Sequence, residues 1–262
     1  LQISDANVTA ALPAIQMAAS FGAGYFFGMG AFETVAVEEG NPVLLEKHYE
    51  RLFRAVDFFH LELSKKELEE KVGQALDAPF MKNGRKVLKI TVSEKNLLVT
   101  TRENTYGENH YKNGFTADYS CVRRNETSPF TYHKTLNYGD CLREKHLAHE
   151  RGIDEPIFLN TKDILAEGAT TNVFFVKNGT IFTPSVQCGI LPGILRQYIC
   201  ERNPVQETEI YPEEIEIYDE MFLTNSLLGI MPVVSLGAHR FSSRSVSQRL
   251  MEEYRKFCNQ IG

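Results

Sequence analysis

The sequence lacks what would mark several common functions. Its five cysteines, Cys121, Cys141, Cys188, Cys200 and Cys258, are scattered, and none belongs to a CxxC pair. A disulfide framework or zinc site is therefore not expected, and a reducing compartment, the cytoplasm, is. No apolar run approaches the ~18 residues a membrane span needs. The most apolar stretch, GAGYFFGMGAF (22–32), is short and broken by glycines. Residues 1–20 are Ala-rich and nearly uncharged, and they lack the basic region of a signal peptide. Positive charge is not in excess either. A net charge of −6 argues against a nucleic-acid binder and against a polybasic membrane-surface protein. There is no GxxxxGK[ST], no HExxH and no GxSxG, and no GxGxxG follows a strand. The seven histidines show no paired metal spacing, so no metal is expected.

What is present is ordinary for a globular chain: 262 residues, 43% hydrophobic and 24% charged. That length suits one large domain or two small ones. The spacing predicts a strand over 31–38, a turn at Gly40-Asn41-Pro42 and a second short strand. Leu45, Tyr49, Leu52, Val56 and Phe59 then recur at helical spacing. Ser64 with Glu67 three residues on reads as a capping box, followed by a helix with Leu68, Val72 and Leu76 on one face. Residues 86–104 read as two strands around a Lys-Asn turn, and 114–126 as another. TSPFTYHK, with Pro129, reads as the connection between two domains. Beyond it come a helix (136–151), the strand EPIFLN, and a hairpin turned at Asn178-Gly179. A helix after Pro192-Gly193, strands in EMFLTNS and GIMPVVSLG, and a last helix from about Ser245 complete the pattern.

Five places carry groups that could do chemistry. In LAEGATTNVFF (165–175), Glu167 stands before a glycine at a strand entrance. On spacing alone it reads as a solvated turn residue, and Thr170, Thr171 and Asn172 read as turn formers. In GILPGILRQ (189–197), a Pro-Gly turn feeds a helix whose first backbone N–H groups are free to seat a phosphate; a plain helix start is the commoner case. TNS (224–226) could add donors to an anion or simply make a turn. Arg51, beside the first helix's apolar stripe, either snorkels or points into a cleft, where its planar fork suits a phosphate. Lys134, in YHKTLNYGD, is by itself an ordinary loop lysine.

The order and spacing of these places say more than any one of them. GMGAFETVAV, EKHYERL, RRNETSPFTYHKTLNY, Glu167, LPGILR and FLTNSLLGIMPV follow one another along nearly the whole chain. In that order they closely resemble the fold-type IV pyridoxal-phosphate enzymes, the class IV aminotransferases and their relatives. The resemblance implies an α+β, two-domain, D-amino acid aminotransferase-like fold. A smaller N-terminal α+β domain (1–127) would precede a larger C-terminal α/β domain (128–262) carrying the cofactor lysine. It also implies pyridoxal 5′-phosphate, a homodimer, and a small amino-bearing carboxylate as substrate.

Roles follow from the same resemblance. Lys134 matches the catalytic lysine that forms the Schiff base with the cofactor aldehyde, where an amine must be displaced and then move protons. Glu167 matches the carboxylate facing the pyridine nitrogen, whose charge favours the protonated, electron-withdrawing ring. Arg51 matches the arginine on the cofactor phosphate. Ile194 and Leu195 match the backbone donors to that phosphate, Asn225 and Ser226 its other wall, and Tyr138 a neighbour of the ring hydroxyl. Three positions depart from the family pattern. Gly28-Met29-Gly30 stands where GDG is usual, Leu195 where many relatives carry Thr, and Ala36 where lyases often carry Arg.

HKTLNY, RRNETSP and especially FLTNSLLGIMPV look more like the 4-amino-4-deoxychorismate lyases than the aminotransferases. That likeness implies release of pyruvate and 4-aminobenzoate, a step of folate biosynthesis, from a substrate with two carboxylates. Lys89, Arg123 and Arg124 are candidate cations for them. The alternative is an aminotransferase for D- or branched-chain amino acids, which would use the same lysine and glutamate.

Overall fold

The computed structural model describes residues 20–260. The Ala-rich start, to which no element could be assigned from sequence, lies outside them. A short helix, α1 (Ala23–Phe27), leads into β1 (Gly30–Glu38). After β2 (Asn41–Pro42) come α2 (Leu45–Phe58) and α3 (Lys65–Leu76), then β3 (Arg85–Ser93) and β4 (Asn96–Glu103). These strands form an antiparallel sheet in the order β2-β1-β3-β4. The expected helical stripe faces it: Tyr49, Leu52 and Val56 pack with Leu68, Val72, Leu88 and Ile90 in one core. The α3 cap forms from the expected residue, with the Glu67 N–H donating to Ser64 Oγ at 3.3 Å.

A larger sheet takes the rest. Past α4 (Glu108–Asn113) its strands are β5 (Phe115–Arg124), β6 (Glu155–Asn160), β7 (Leu165–Gly168), β8 (Asn172–Lys177) and β9 (Thr180–Pro184). They are followed by β10 (Val205–Thr208), β11 (Glu220–Asn225), β12 (Gly229–Leu236) and β13 (His239–Arg240). The order is β10-β9-β8-β11-β12-β5-β6-β7, with β13 beside β12. Pairing is mixed: β5 runs parallel to both β12 and β6, whereas β8, β11 and β12 alternate antiparallel. Helices α5 (Gly139–Glu150), α6 (Ile194–Arg202) and α7 (Ser245–Gln260) pack around it. Asn178 and Gly179 take φ of 50° and 80°, the two left-handed residues of the expected hairpin turn.

Two features differ from the sequence reading, and both come from pairing over long separations. Strand β5, on the N-terminal side of the 127/128 boundary, hydrogen-bonds into the larger sheet. Helix α5 begins at Gly139 rather than 136, because the backbone before it is claimed elsewhere. The Phe32 N–H donates to Lys134 O at 2.9 Å and the Leu136 N–H to Gly30 O at 2.9 Å, around an Ala31–Thr135 bridge. That bridge stitches the lysine loop to the smaller sheet. It also needs Gly30, where a Cβ would stand 2.4 Å from Val92 O.

Candidate active site

A cavity of about 430 Å³ is lined by β1, β3 and β4, by the lysine loop, and by β7, α6 and the β11–β12 turn. Lys134 lies in its wall. Its backbone is fixed by the bridge to β1, and its Nζ lies 4.4 Å from the Phe32 ring centroid and 5.0 Å from that of Tyr138. Among the described residues it has no ion-pair partner. Burial, with the Arg51 guanidinium nearby, brings its amine down to about 8. Against an ordinary lysine, that raises the fraction of free amine at neutral pH about two-hundredfold. Such an amine is suited to attack a carbonyl and to shuttle protons.

Glu167 stands one residue before the end of β7 as a buried carboxylate. Its Oε1 accepts from Arg124 Nη2 at 2.7 Å, and its Oε2 from the Leu191 N–H at 3.0 Å and Asn172 Nδ2 at 3.4 Å. Burial pushes it above the ordinary carboxylate range, while Arg124 and the Leu191 N–H pull the other way. Arg124 is therefore the partner of Glu167 rather than a free substrate cation, and its Nε finds no partner among the described residues. Arg123 turns outward to Asp163 at 2.8 Å. Lys89 does line the cavity, and Arg102 joins it there; neither makes an ion pair among the described residues. Tyr138 packs edge-on against Phe32 at 5.2 Å, and burial pushes its hydroxyl well up.

The expected phosphate seat is concave and rich in donors. Gly193 caps α6 with no side-chain bond, leaving the N–H groups of Ile194 and Leu195 at the cavity. Only glycine fits at 193, since a Cβ there would meet Asn172 Oδ1 at 2.0 Å. Arg51 is buried and oriented by Glu33: Nε to Oε1 is 2.7 Å and Nη2 to Oε2 is 2.8 Å, while Nη1 donates to Pro192 O at 3.2 Å. Ser226 lines the seat, with its Oγ 3.2 Å from His48 Nε2. Asn225 also lines it, but its side chain is committed to the turn. Its Oδ1 accepts from the Leu227 and Leu228 N–H groups at 2.9 and 2.8 Å, and its Nδ2 donates to Thr170 O at 3.1 Å. Beside it, the buried Thr224 Oγ1 has no partner among the described residues.

Sequence reasoning passed over Glu33 and His48. Glu33 is fully buried, and His48 Nδ1 lies 2.6 Å from its Oε2. Burial alone would raise Glu33, but Arg51 and His48 overcome it and hold it well below the ordinary range. The available signal was spacing: His48 and Arg51 stand i,i+3 on α2 and so share a face.

A lone, half-buried amine, a buried carboxylate and an anion seat on one cavity suit a ligand with a carbonyl, a basic ring nitrogen and a phosphate. Comparison with known proteins agrees. The family model of amino-transferase class IV matches residues 30–236. The chain belongs to that family. Class IV members depend on pyridoxal 5′-phosphate, and this chain is an enzyme of that kind. It is 30% identical to the aminodeoxychorismate lyase of Bacillus subtilis, over 86% of this chain and 83% of that protein. It is 33% identical to a protein of Thermotoga maritima named a probable branched-chain-amino-acid aminotransferase, over 86% and 85%. The crystal structure of 4-amino-4-deoxychorismate lyase from Pseudomonas aeruginosa superposes with a TM-score of 0.78 at 25% identity, over 91% of this chain and 96% of that one. The expected α+β, fold-type IV architecture and the lyase-like resemblance are both borne out. Among the described residues, no helix is long and apolar enough to cross a membrane.

Proposed function

We propose that this class IV enzyme is a 4-amino-4-deoxychorismate lyase, releasing pyruvate and 4-aminobenzoate in cytoplasmic folate biosynthesis. The supporting observation is Lys89 together with Arg102, two cavity cations with no carboxylate partner among the described residues. A substrate with two carboxylates uses both; an α-amino acid with one would leave a like-charged pair uncompensated.

Arg51, the Ile194 and Leu195 N–H groups, Ser226 and Thr224 Oγ1 would hold the cofactor phosphate, with Asn225 shaping the turn. Glu167, fixed by Arg124, would face the ring nitrogen and keep a proton there. Bound cofactor supplies an electron-withdrawing ring that acidifies the neighbouring C–H bond. Lys134 Nζ would take that proton as general base and return one to the departing three-carbon fragment. Phe32 and Tyr138 would screen the amine from water.

The aminotransferase reading is favoured by the 33% identity to the Thermotoga maritima protein. Purified holoenzyme given aminodeoxychorismate is expected to form 4-aminobenzoate and pyruvate in equal amounts. Rapid transfer of amino groups from amino acids to the cofactor, with no 4-aminobenzoate, would reject the lyase. We also infer a homodimer, supported by the contiguous aromatic patch of Phe21, Tyr25, Phe26 and Phe27, each at least 63% exposed; light scattering on the purified chain tests it.

A further inference from the structure

Ser226 has one hydroxyl proton and two claims on it. Its Oγ lies 3.2 Å from His48 Nε2, and His48 Nδ1 lies 2.6 Å from Glu33 Oε2. Glu33 is fully buried and held ionised by Arg51, so the ring proton of a neutral His48 sits on Nδ1. Nε2 is then a bare acceptor, and Ser226 must donate to it. That turns the hydroxyl's lone pairs toward the cavity, which is the wrong polarity for an anion. A phosphate in the seat needs the same proton. Both demands are met only when His48 carries a second proton and donates from Nε2 to Ser226 Oγ, while Ser226 donates to the phosphate.

We propose that His48 is a positioning residue of the anion seat: acting through Ser226, it makes the seat bind a phosphate ester together with one proton. This rests on the reading that the seat holds the cofactor phosphate. The charged groups facing His48 are Glu33 from β1, Arg51 from its own helix and Lys134 from the loop before α5. With the seat empty, burial, Arg51 and Lys134 keep the ring neutral against the pull of Glu33. A dianion against Ser226 supplies the missing negative charge. The proton comes from solvent to Nε2, the hydroxyl proton only rotates, and no covalent bond to carbon changes.

The test uses the full chain stripped of cofactor, with inorganic phosphate as the probe, at pH values above the second ionisation of phosphate. In the wild type, affinity is expected to fall about tenfold per pH unit from this linkage for as long as His48 is neutral with the seat empty and doubly protonated with it occupied. His48→Gln can present an amide N–H to Ser226 at any pH, so it should lose that slope while keeping affinity. Lys134 titrates nearby in both proteins, so the difference between their slopes isolates His48. In ¹⁵N-histidine spectra, His48 should carry one ring proton with the seat empty and two with phosphate bound. Equal slopes in both proteins, or a singly protonated His48 with phosphate bound, overturns the proposal. If phosphate does not bind the wild type at all, the seat reading itself fails, and the proposal with it.

Discussion

Replacing Arg124 by methionine tests the carboxylate half of the site. The change keeps most of the apolar stem but deletes the guanidinium, which lies over the Phe158 ring and 2.7 Å from Glu167. Glu167 stays buried, with the Leu191 N–H and Asn172 Nδ2 as its remaining donors. Breaking one side of a buried ion pair costs about 3–5 kcal/mol. For a chain of this size that lowers Tm by roughly 6–20 °C. The sign of the pH dependence follows from linkage. Burial already raises Glu167 above its unfolded value, so the folded state binds the proton more tightly. The stability tied to that proton is present at acid pH and is lost as pH rises through the folded-state value. Without Arg124 the folded-state value rises further, so the variant's deficit should be small near pH 5 and largest near pH 8. A carboxyl that stays protonated no longer favours a protonated ring nitrogen, so kcat should fall at least about tenfold while the cofactor remains bound. Thermal melts at both pH values, with kcat alongside, make the check. A deficit independent of pH with unchanged kcat would refute the pairing argument.

Capture of pyridoxal phosphate by the cofactor-free chain needs Lys134 as free base. Its rate should therefore rise about tenfold per pH unit and level off near pH 8, as followed by absorbance. Gly193→Ala drives a Cβ into Asn172 and should weaken cofactor binding more than about tenfold in an absorbance titration, with a smaller effect on Tm. Lys89→Met and Arg102→Met should each raise KM for aminodeoxychorismate by about tenfold or more, leaving the cofactor spectrum unchanged. Thr224→Val fills the same space without the unpartnered hydroxyl, so the cofactor-free protein should gain stability in melts while cofactor affinity falls.

Local signals in the sequence translated well. The Asn178-Gly179 turn, the Ser64 cap and the Leu45–Phe59 stripe each depend on residues a few positions apart, and each appears where expected. Lys134, Glu167, Arg51, Ile194, Leu195, Asn225, Ser226 and Tyr138 all line one cavity. What was illegible depends on distant pairing. Nothing in YHKTLNY announces that its backbone bridges to β1, 104 residues earlier in the case of Ala31 and Thr135. Glu33 looked like one more strand residue, because its meaning comes only from His48 and Arg51 on a helix packed across from it. Arg124 is a candidate substrate cation by sequence, but strand pairing aims it at Glu167. For TNS the sequence left open anion donors or a turn; the Asn225 side chain makes the turn while the residue still lines the cavity.

The site stands or falls on where the cofactor attaches. Borohydride reduction of the yellow holoenzyme, followed by peptide mapping, should place one cofactor-sized label per chain on Lys134, with Lys89 unlabelled. A label on Lys89 or another lysine, or a colourless protein that takes no label, would contradict the arrangement of Lys134, Glu167 and the anion seat around one cofactor.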